Sequence, residues 1–130
     1  MTMTNILVID DEQEITSKLE SVLSSNSCHV QTAHNGRDGL RMLRKYPFDV
    51  VITDIIMPEI DGFEVIMEIN QMVKRPRVIA MTGGTRHLSC AYLAEVARTL
   101  SVQQVLFKPF SIHELLDTVF PQEEYAAAAG

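Results

Sequence analysis

The sequence predicts an α/β domain in which five parallel strands form one doubly wound sheet with helices on both faces. Three observations carry that reading. Short apolar runs alternate with amphipathic stretches five times over, the connections between them are short, and the first run, Ile6 to Ile9, is apolar without interruption, as a strand buried on both faces requires. Each parallel pair needs a right-handed crossover, so strict β-α alternation leads to a parallel sheet covered on both sides.

Ile6 to Ile9 reads as the first strand, and the helix after it carries Ile15, Leu19, Val22 and Leu23 at spacings of three and four. Cys28 to Ala33 alternates as a second strand, and Asn35-Gly36 opens a helix that turns Leu40 and Leu43 inward. Asp49 to Thr53 is the third strand, with Val50, Val51 and Ile52 all β-branched. Pro58 and Gly62 punctuate a loop from Met57 to Gly62, and Phe63, Ile66, Met67 and Ile69 mark the third helix. Arg77 to Met81 and Val102 to Phe107 supply strands four and five, separated by a helix over about Thr85 to Leu100. Ser111 caps a last helix through Phe120. The domain spans 5–120. Residues 121–130, with Glu-Glu-Tyr, four Ala and a Gly, read as a tail, a linker or an expression scar.

At 130 residues and 46% apolar composition, one core can form without disulfides or a structural metal. Disordered, collagen-like and low-complexity classes do not fit that composition, which includes only 6 Gly and 5 Pro. The net charge of −6 opposes holding nucleic acid or an anionic membrane by bulk electrostatics, so neither is expected as a direct partner. Arg41/Arg44/Lys45 and Lys74/Arg75/Arg77 read as solvated helix faces or ends. Cys28 and Cys90 fit neither a zinc nor a disulfide pattern and read as reduced thiols. No signal peptide or membrane span is apparent, and a cytoplasmic location is expected. His29, His34, His87 and His113 are scattered over surfaces, and the His87/Cys90 pair offers too few ligands for zinc.

Ligands of an open parallel sheet bind outside the carboxyl ends of its strands. Past strand one stand Asp10 and Asp11, past strand three Asp54, past strand four Thr82 and past strand five Lys108. Two carboxylates about 4 Å apart repel by about 4 kcal/mol at an effective dielectric of about 20, so three at one rim require a cation. Lys108 supplies one charge. An all-oxygen donor set without His or Cys favours Mg²⁺ for the rest. The position after strand one holds Asp10-Asp11-Glu12 and not a Gly-rich turn, which excludes a P-loop or dinucleotide site. A serine nucleophile elbow, H-E-x-x-H and C-x-x-C are absent. Single acids at strand ends also serve as helix caps, but their joint placement at several strand ends exceeds that role.

The run Ile6-Leu7-Val8-Ile9-Asp10-Asp11-Glu12, the block Asp54 to Gly62, Thr82 and Lys108-Pro109-Phe110 together resemble the receiver domain of two-component response regulators. The resemblance covers about residues 5 to 120. It implies a flavodoxin-like sheet of order 2-1-3-4-5 and a phosphoryl-accepting signalling domain rather than an enzyme with an external substrate. Asp54 is then the phosphoacceptor, taking a phosphoryl group from a phosphohistidine of a sensor histidine kinase or a histidine phosphotransfer protein. Asp11, with Asp10, would hold Mg²⁺ alongside Asp54, and the backbone carbonyl of Ile56 would complete the protein's share of the shell. Lys108 and Thr82 would neutralise charge on the phosphoryl oxygens, and Lys108-Pro109 would be a cis peptide bond. Phosphorylation would draw the Thr82 hydroxyl and the Gly83-Gly84 loop, remodelling a docking face for a downstream effector.

Two departures from the family pattern stand out. The position three before Lys108, aromatic in the family, is Val105. Phe107 lies on the same strand face and either replaces that aromatic or fills core, core being the favoured reading. Ile56 and Gly84 bring no side chain able to orient water, which predicts slow self-dephosphorylation. Two other classes of function compete. A Mg²⁺-dependent aspartyl-phosphate phosphatase or phosphotransferase would need a second Asp where Ile56 stands, and a cap domain. A non-phosphorylated interaction domain would not need the set Asp10, Asp11, Asp54, Thr82 and Lys108.

Overall fold

The computed structural model describes residues 3–83, 88–102 and 104–121. The elements run β1 (Thr4–Ile9), α1 (Gln13–Ser24), β2 (Cys28–Ala33), α2 (Gly36–Lys45), β3 (Val50–Asp54), α3 (Gly62–Ile69), β4 (Arg77–Thr82), α4 (Cys90–Thr99), β5 (Gln104–Phe107) and α5 (Ile112–Val119). All strand pairs are parallel, in the order β2-β1-β3-β4-β5. The expected doubly wound α/β architecture is therefore the one found.

Alternation along each strand divides the core into two layers. Leu7, Ile9 and Val51 face α2, α3 and α4, meeting Leu40, Val65, Ile66 and Leu93. Ile6, Val8, Ile52, Ile79 and Met81 face α1 and α5, meeting Leu19, Leu23, Leu115 and Val119. Ile6 to Ile9 have no exposed surface at all, which is why these four residues of β1, after the half-buried Thr4 and Asn5, are all aliphatic.

Side-chain caps fix where the helices begin. Asn35 accepts from the Asp38 N–H at 2.7 Å, and Asp61 accepts from the Glu64 N–H at 3.1 Å. Ser111 and Glu114 form a reciprocal capping box on α5. Ser89 caps α4 by accepting from the Tyr92 N–H at 3.1 Å in an extended conformation, so the helix starts at Cys90 and not near Thr85. Gly84, Thr85, Arg86 and His87, which include half of the Gly83-Gly84 loop and of the His87/Cys90 pair, lie outside the described residues, as does most of the 121–130 segment.

Several expectations are corrected by the packing. Asp54 and Thr82 are the last residues of β3 and β4, not residues beyond them, because their backbones still join the ladders opposite Met81 and Phe107. Val102 precedes β5, its N–H being taken by the Ala97 carbonyl at 3.1 Å. Met67 is 52% exposed, since the buried stripe of α3 runs through Gly62, Val65, Ile66 and Ile69. Phe107 is 43% exposed and does not fill core, lying at the outer end of a short edge strand. Lys74 and Arg75 belong to the α3–β4 connection, and Arg77 opens β4, so none is on a helix face. The Arg77 guanidinium instead donates to the Thr118 and Val119 carbonyls at 3.1 and 2.6 Å, tying β4 to the last turn of α5. Both cysteines are free thiols, and burial raises the Cys28 pKa.

Candidate functional site

β1 ends by delivering Asp10, whose N–H still pairs with the Ala33 carbonyl of β2 at 3.1 Å. Its side chain has no exposure, so both oxygens must find donors inside the protein. One accepts from the Glu12 N–H at 2.9 Å and the other from the Lys108 ammonium at 2.8 Å. That ammonium also lies 3.3 Å from Asp54 Oδ2 and 3.7 Å from Glu12 Oε1. Lys108 is held in place by its own N–H, which donates to the Thr82 carbonyl at 2.8 Å, and its bond to Pro109 is cis.

Asp54 is 6% exposed at the tip of β3, and Thr82 is 1% exposed at the tip of β4. Beyond Asp54 the chain is clamped: Ile55 donates its N–H to Met81 at 3.0 Å, and its carbonyl accepts from the Gly62 N–H at 2.7 Å. Gly62 sits directly on this backbone. A Cβ there would strike the Asp54 carbonyl oxygen and come within 2.7 Å of the Ile55 Cα. Asp11 is exposed at the mouth. A cleft of about 180 Å³ opens here, lined by Asp11, Glu12, Asp54, Ile56, Thr82 and Lys108.

Burial pushes the Asp54 carboxyl up to about 6; Lys108 pulls against it, and the neighbouring Asp10 charge adds to the rise. Burial likewise raises Asp10, opposed by its bonds to Lys108 and the Glu12 N–H. For Lys108, burial works to lower the pKa. The bond to Asp10 and the charges of Asp54 and Asp10 outweigh it and hold the ammonium above its usual range. The site is thus a buried negative pocket with one ammonium as resident counter-charge. Asp10, Asp11 and Asp54 each offer a carboxylate oxygen within 4.8 Å of the others. This all-oxygen, partly open donor set fits Mg²⁺. Both Asp10 oxygens already have donors, so Asp11 and Asp54 face the cleft more directly.

The structure therefore brings together Asp10, Asp11, Asp54, Thr82 and Lys108, with Ile56 at the rim. Sequence reasoning missed two contributors. Glu12 supplies a backbone donor to Asp10 and a carboxylate near Lys108, and only its place in the acidic run hinted at this. Gly62 was legible as the punctuation that ends the loop from Met57, but not as the residue whose missing side chain lets α3 approach the Asp54 backbone.

A parallel sheet whose carboxyl-terminal rim gathers buried acids around one lysine is the build of a phosphoryl-accepting signalling domain. A family model for the response regulator receiver domain matches residues 6–120, and the chain belongs to that family. Among its relatives is the response regulator ArlR of Staphylococcus aureus, 32% identical over 114 residues, a match covering 88% of this chain and 50% of that protein. The chain thus spans about half the length of the curated relatives it matches. Among solved structures, the chemotaxis response regulator CheY4 of Vibrio cholerae superposes with TM-score 0.81 at 29% identity, covering 91% of this chain and 97% of that one. TrrA of Thermotoga maritima, solved in complex with Mg²⁺ and BeF, gives TM-score 0.78 at 32% identity, covering 90% of this chain and 96% of that one. Among the described residues, no helix is long and apolar enough to cross a membrane.

Proposed function

We propose that Asp54 is the phosphoacceptor of this receiver domain, which spans residues 5–120, and that Lys108 and Thr82 assist it. The observation that carries the reading is the Asp54 carboxyl, nearly buried yet lining an open cleft, with the Lys108 ammonium 3.3 Å from Oδ2. In the transfer, a carboxylate oxygen of Asp54 attacks the phosphorus of a phosphohistidine. The new O–P bond forms as the P–N bond breaks, and the imidazole nitrogen keeps the electron pair. A carboxylate is a weak nucleophile, so the chain contributes position and charge: Lys108 lies where the phosphoryl oxygens would arrive, and Thr82 lines the same cleft. Burial raises the Asp54 pKa, and the Lys108 ammonium pulls against that rise, favouring the ionised form that the attack requires.

Asp11 and Asp54, with Asp10 behind them and the Ile56 carbonyl at the rim, would hold Mg²⁺, which when bound neutralises charge on the phosphoryl group. Ile56 is 37% exposed and has no polar side chain to orient a water, which supports slow loss of the phosphoryl group. Gly84, the other position behind that expectation, lies outside the described residues. On this reading the domain catalyses only its own phosphorylation and slow dephosphorylation. The donor is a sensor histidine kinase or histidine phosphotransfer protein. An apolar groove of about 360 Å³ beside Ile15, Leu19, Pro109 and Phe110 shares Glu12 and Lys108 with the cleft and suits contact with such a donor. Output passes to a downstream effector protein or domain.

Mass spectrometry after incubation with acetyl phosphate and Mg²⁺ tests the assignment. The wild type is expected to gain one phosphoryl group and Asp54→Asn none. Phosphorylation of Asp54→Asn at the wild-type rate would overturn it.

A further inference from the structure

The end of the sheet opposite Asp54 carries a second constructed surface. The α2–β3 and α3–β4 connections meet there around a groove of about 400 Å³, lined by Tyr46, Pro47, Phe48 and Met72, with Lys74 and Arg75 at its edge. A further cleft of about 420 Å³ adjoins it across Arg75 and Pro76, which gives the surface length as well as depth. It lies one strand length from the acid cleft, about 15 Å at 3.3 Å per residue.

Two adjacent cations line this groove on a chain of net acidic charge. Elsewhere Arg37 pairs with Glu59, Arg41 with Asp38, Arg44 with Glu68 and Lys108 with the site acids, while Lys18 and Arg98, like the cations here, have no carboxylate partner among the described residues. Among the described residues, Lys74 and Arg75 take no carboxylate partner, and Lys45 rests its ammonium 5.5 Å from the Tyr46 ring centroid. Among the described residues, Asp49 is the acid that lines the groove, and it accepts the Asn5 N–H at 2.7 Å. Tyr46 is 43% exposed, and Val73, between Met72 and Lys74, is fully exposed. Lys74 and Arg75 at the edge of an aromatic floor, with Lys45 engaged on its Tyr46 ring, form a local positive site on a chain of net charge −6.

From this charge complementarity we infer that the groove binds an acidic peptide segment of a partner protein, with carboxylates on Lys74 and Arg75 and an apolar or aromatic side chain against Tyr46 and Phe48. The elongated shape suits an extended segment better than a compact metabolite. Nucleic acid is the poorer fit, because three cations cannot offset the long-range repulsion of an acidic domain. Contact at this end would leave the Asp54 cleft open, so the segment and a phosphoryl donor could be held together.

The test is a titration of the ¹⁵N-labelled full chain with a blocked hexapeptide, Glu-Glu-Tyr-Glu-Glu-Leu, and with the same peptide carrying Gln for every Glu. The expected result is saturable shifts of the Tyr46, Phe48, Lys74 and Arg75 amides by the acidic peptide alone, reduced by high salt. The double variant Lys74→Glu/Arg75→Glu is expected to weaken binding about tenfold or more, with Lys74→Gln/Arg75→Gln between it and wild type. Both variants should keep wild-type amide dispersion and accept a phosphoryl group from acetyl phosphate as before. Equal binding of the Gln peptide, shifts centred elsewhere, no saturation, or tighter binding of a single-stranded RNA oligomer would each overturn the inference.

Discussion

Replacing Asp54 by Asn removes the charge that folding buries, and the structure indicates what that charge costs. Burial moves the carboxyl from 3.8 to about 6, so the native state holds its proton more tightly than the unfolded chain does. For an acid shifted in this direction, the penalty is absent below pH 3.8, accumulates between 3.8 and about 6, and is complete above that window. At about 1.36 kcal/mol per pH unit, the ionised side chain costs the native state about 3 kcal/mol. The Asn amide oxygen can still accept from Lys108, which keeps Asp10 as its main partner at 2.8 Å. Asp54→Asn is therefore expected to be more stable than wild type by about 1–3 kcal/mol at about pH 8 in EDTA, a rise of about 1 M in the urea midpoint with an unchanged m value. The advantage should vanish below pH 4, and Mg²⁺ should narrow it by offsetting the wild-type charge. The relevant assay is urea denaturation followed by circular dichroism across pH. An advantage that is absent at about pH 8, or that does not vary with pH, would refute the reasoning.

Three more outcomes follow from the same contacts. Lys108→Met leaves the fully buried Asp10 without its cation. It should cost about 3–5 kcal/mol near neutral pH and less as acid protonates Asp10, which urea melts at two pH values will report. Gly62→Ala drives a methyl into the Asp54–Ile55 backbone. A loss of about 1–3 kcal/mol is expected, with slower phosphoryl uptake from acetyl phosphate if Asp54 shifts. Arg77→Met releases the Thr118 and Val119 carbonyls. It should cost about 1–2 kcal/mol and speed amide hydrogen exchange in the last turn of α5 more than elsewhere.

The sheet, its helices and the identity of the acids were all legible along the chain. An uninterrupted apolar run as short as Ile6 to Ile9, rich in β-branched residues, reads as a strand buried on both faces, and the rule that ligands gather at strand ends picks out Asp10, Asp11, Asp54, Thr82 and Lys108. These are local signals, carried by neighbours in sequence. What needed the tertiary structure depends on segments far apart: that Lys108 lies closer to Asp10 than to Asp54, that Gly62 closes over the Asp54 backbone, and that Arg77 reaches across to α5. Exposure belongs to the same class. Met67 and Phe107 are apolar and sit in regular elements, yet both face outward, because burial is decided by which element packs against that face and not by the residue itself. Pattern determines which way a side chain leaves the backbone, but only the assembled neighbours determine what it meets.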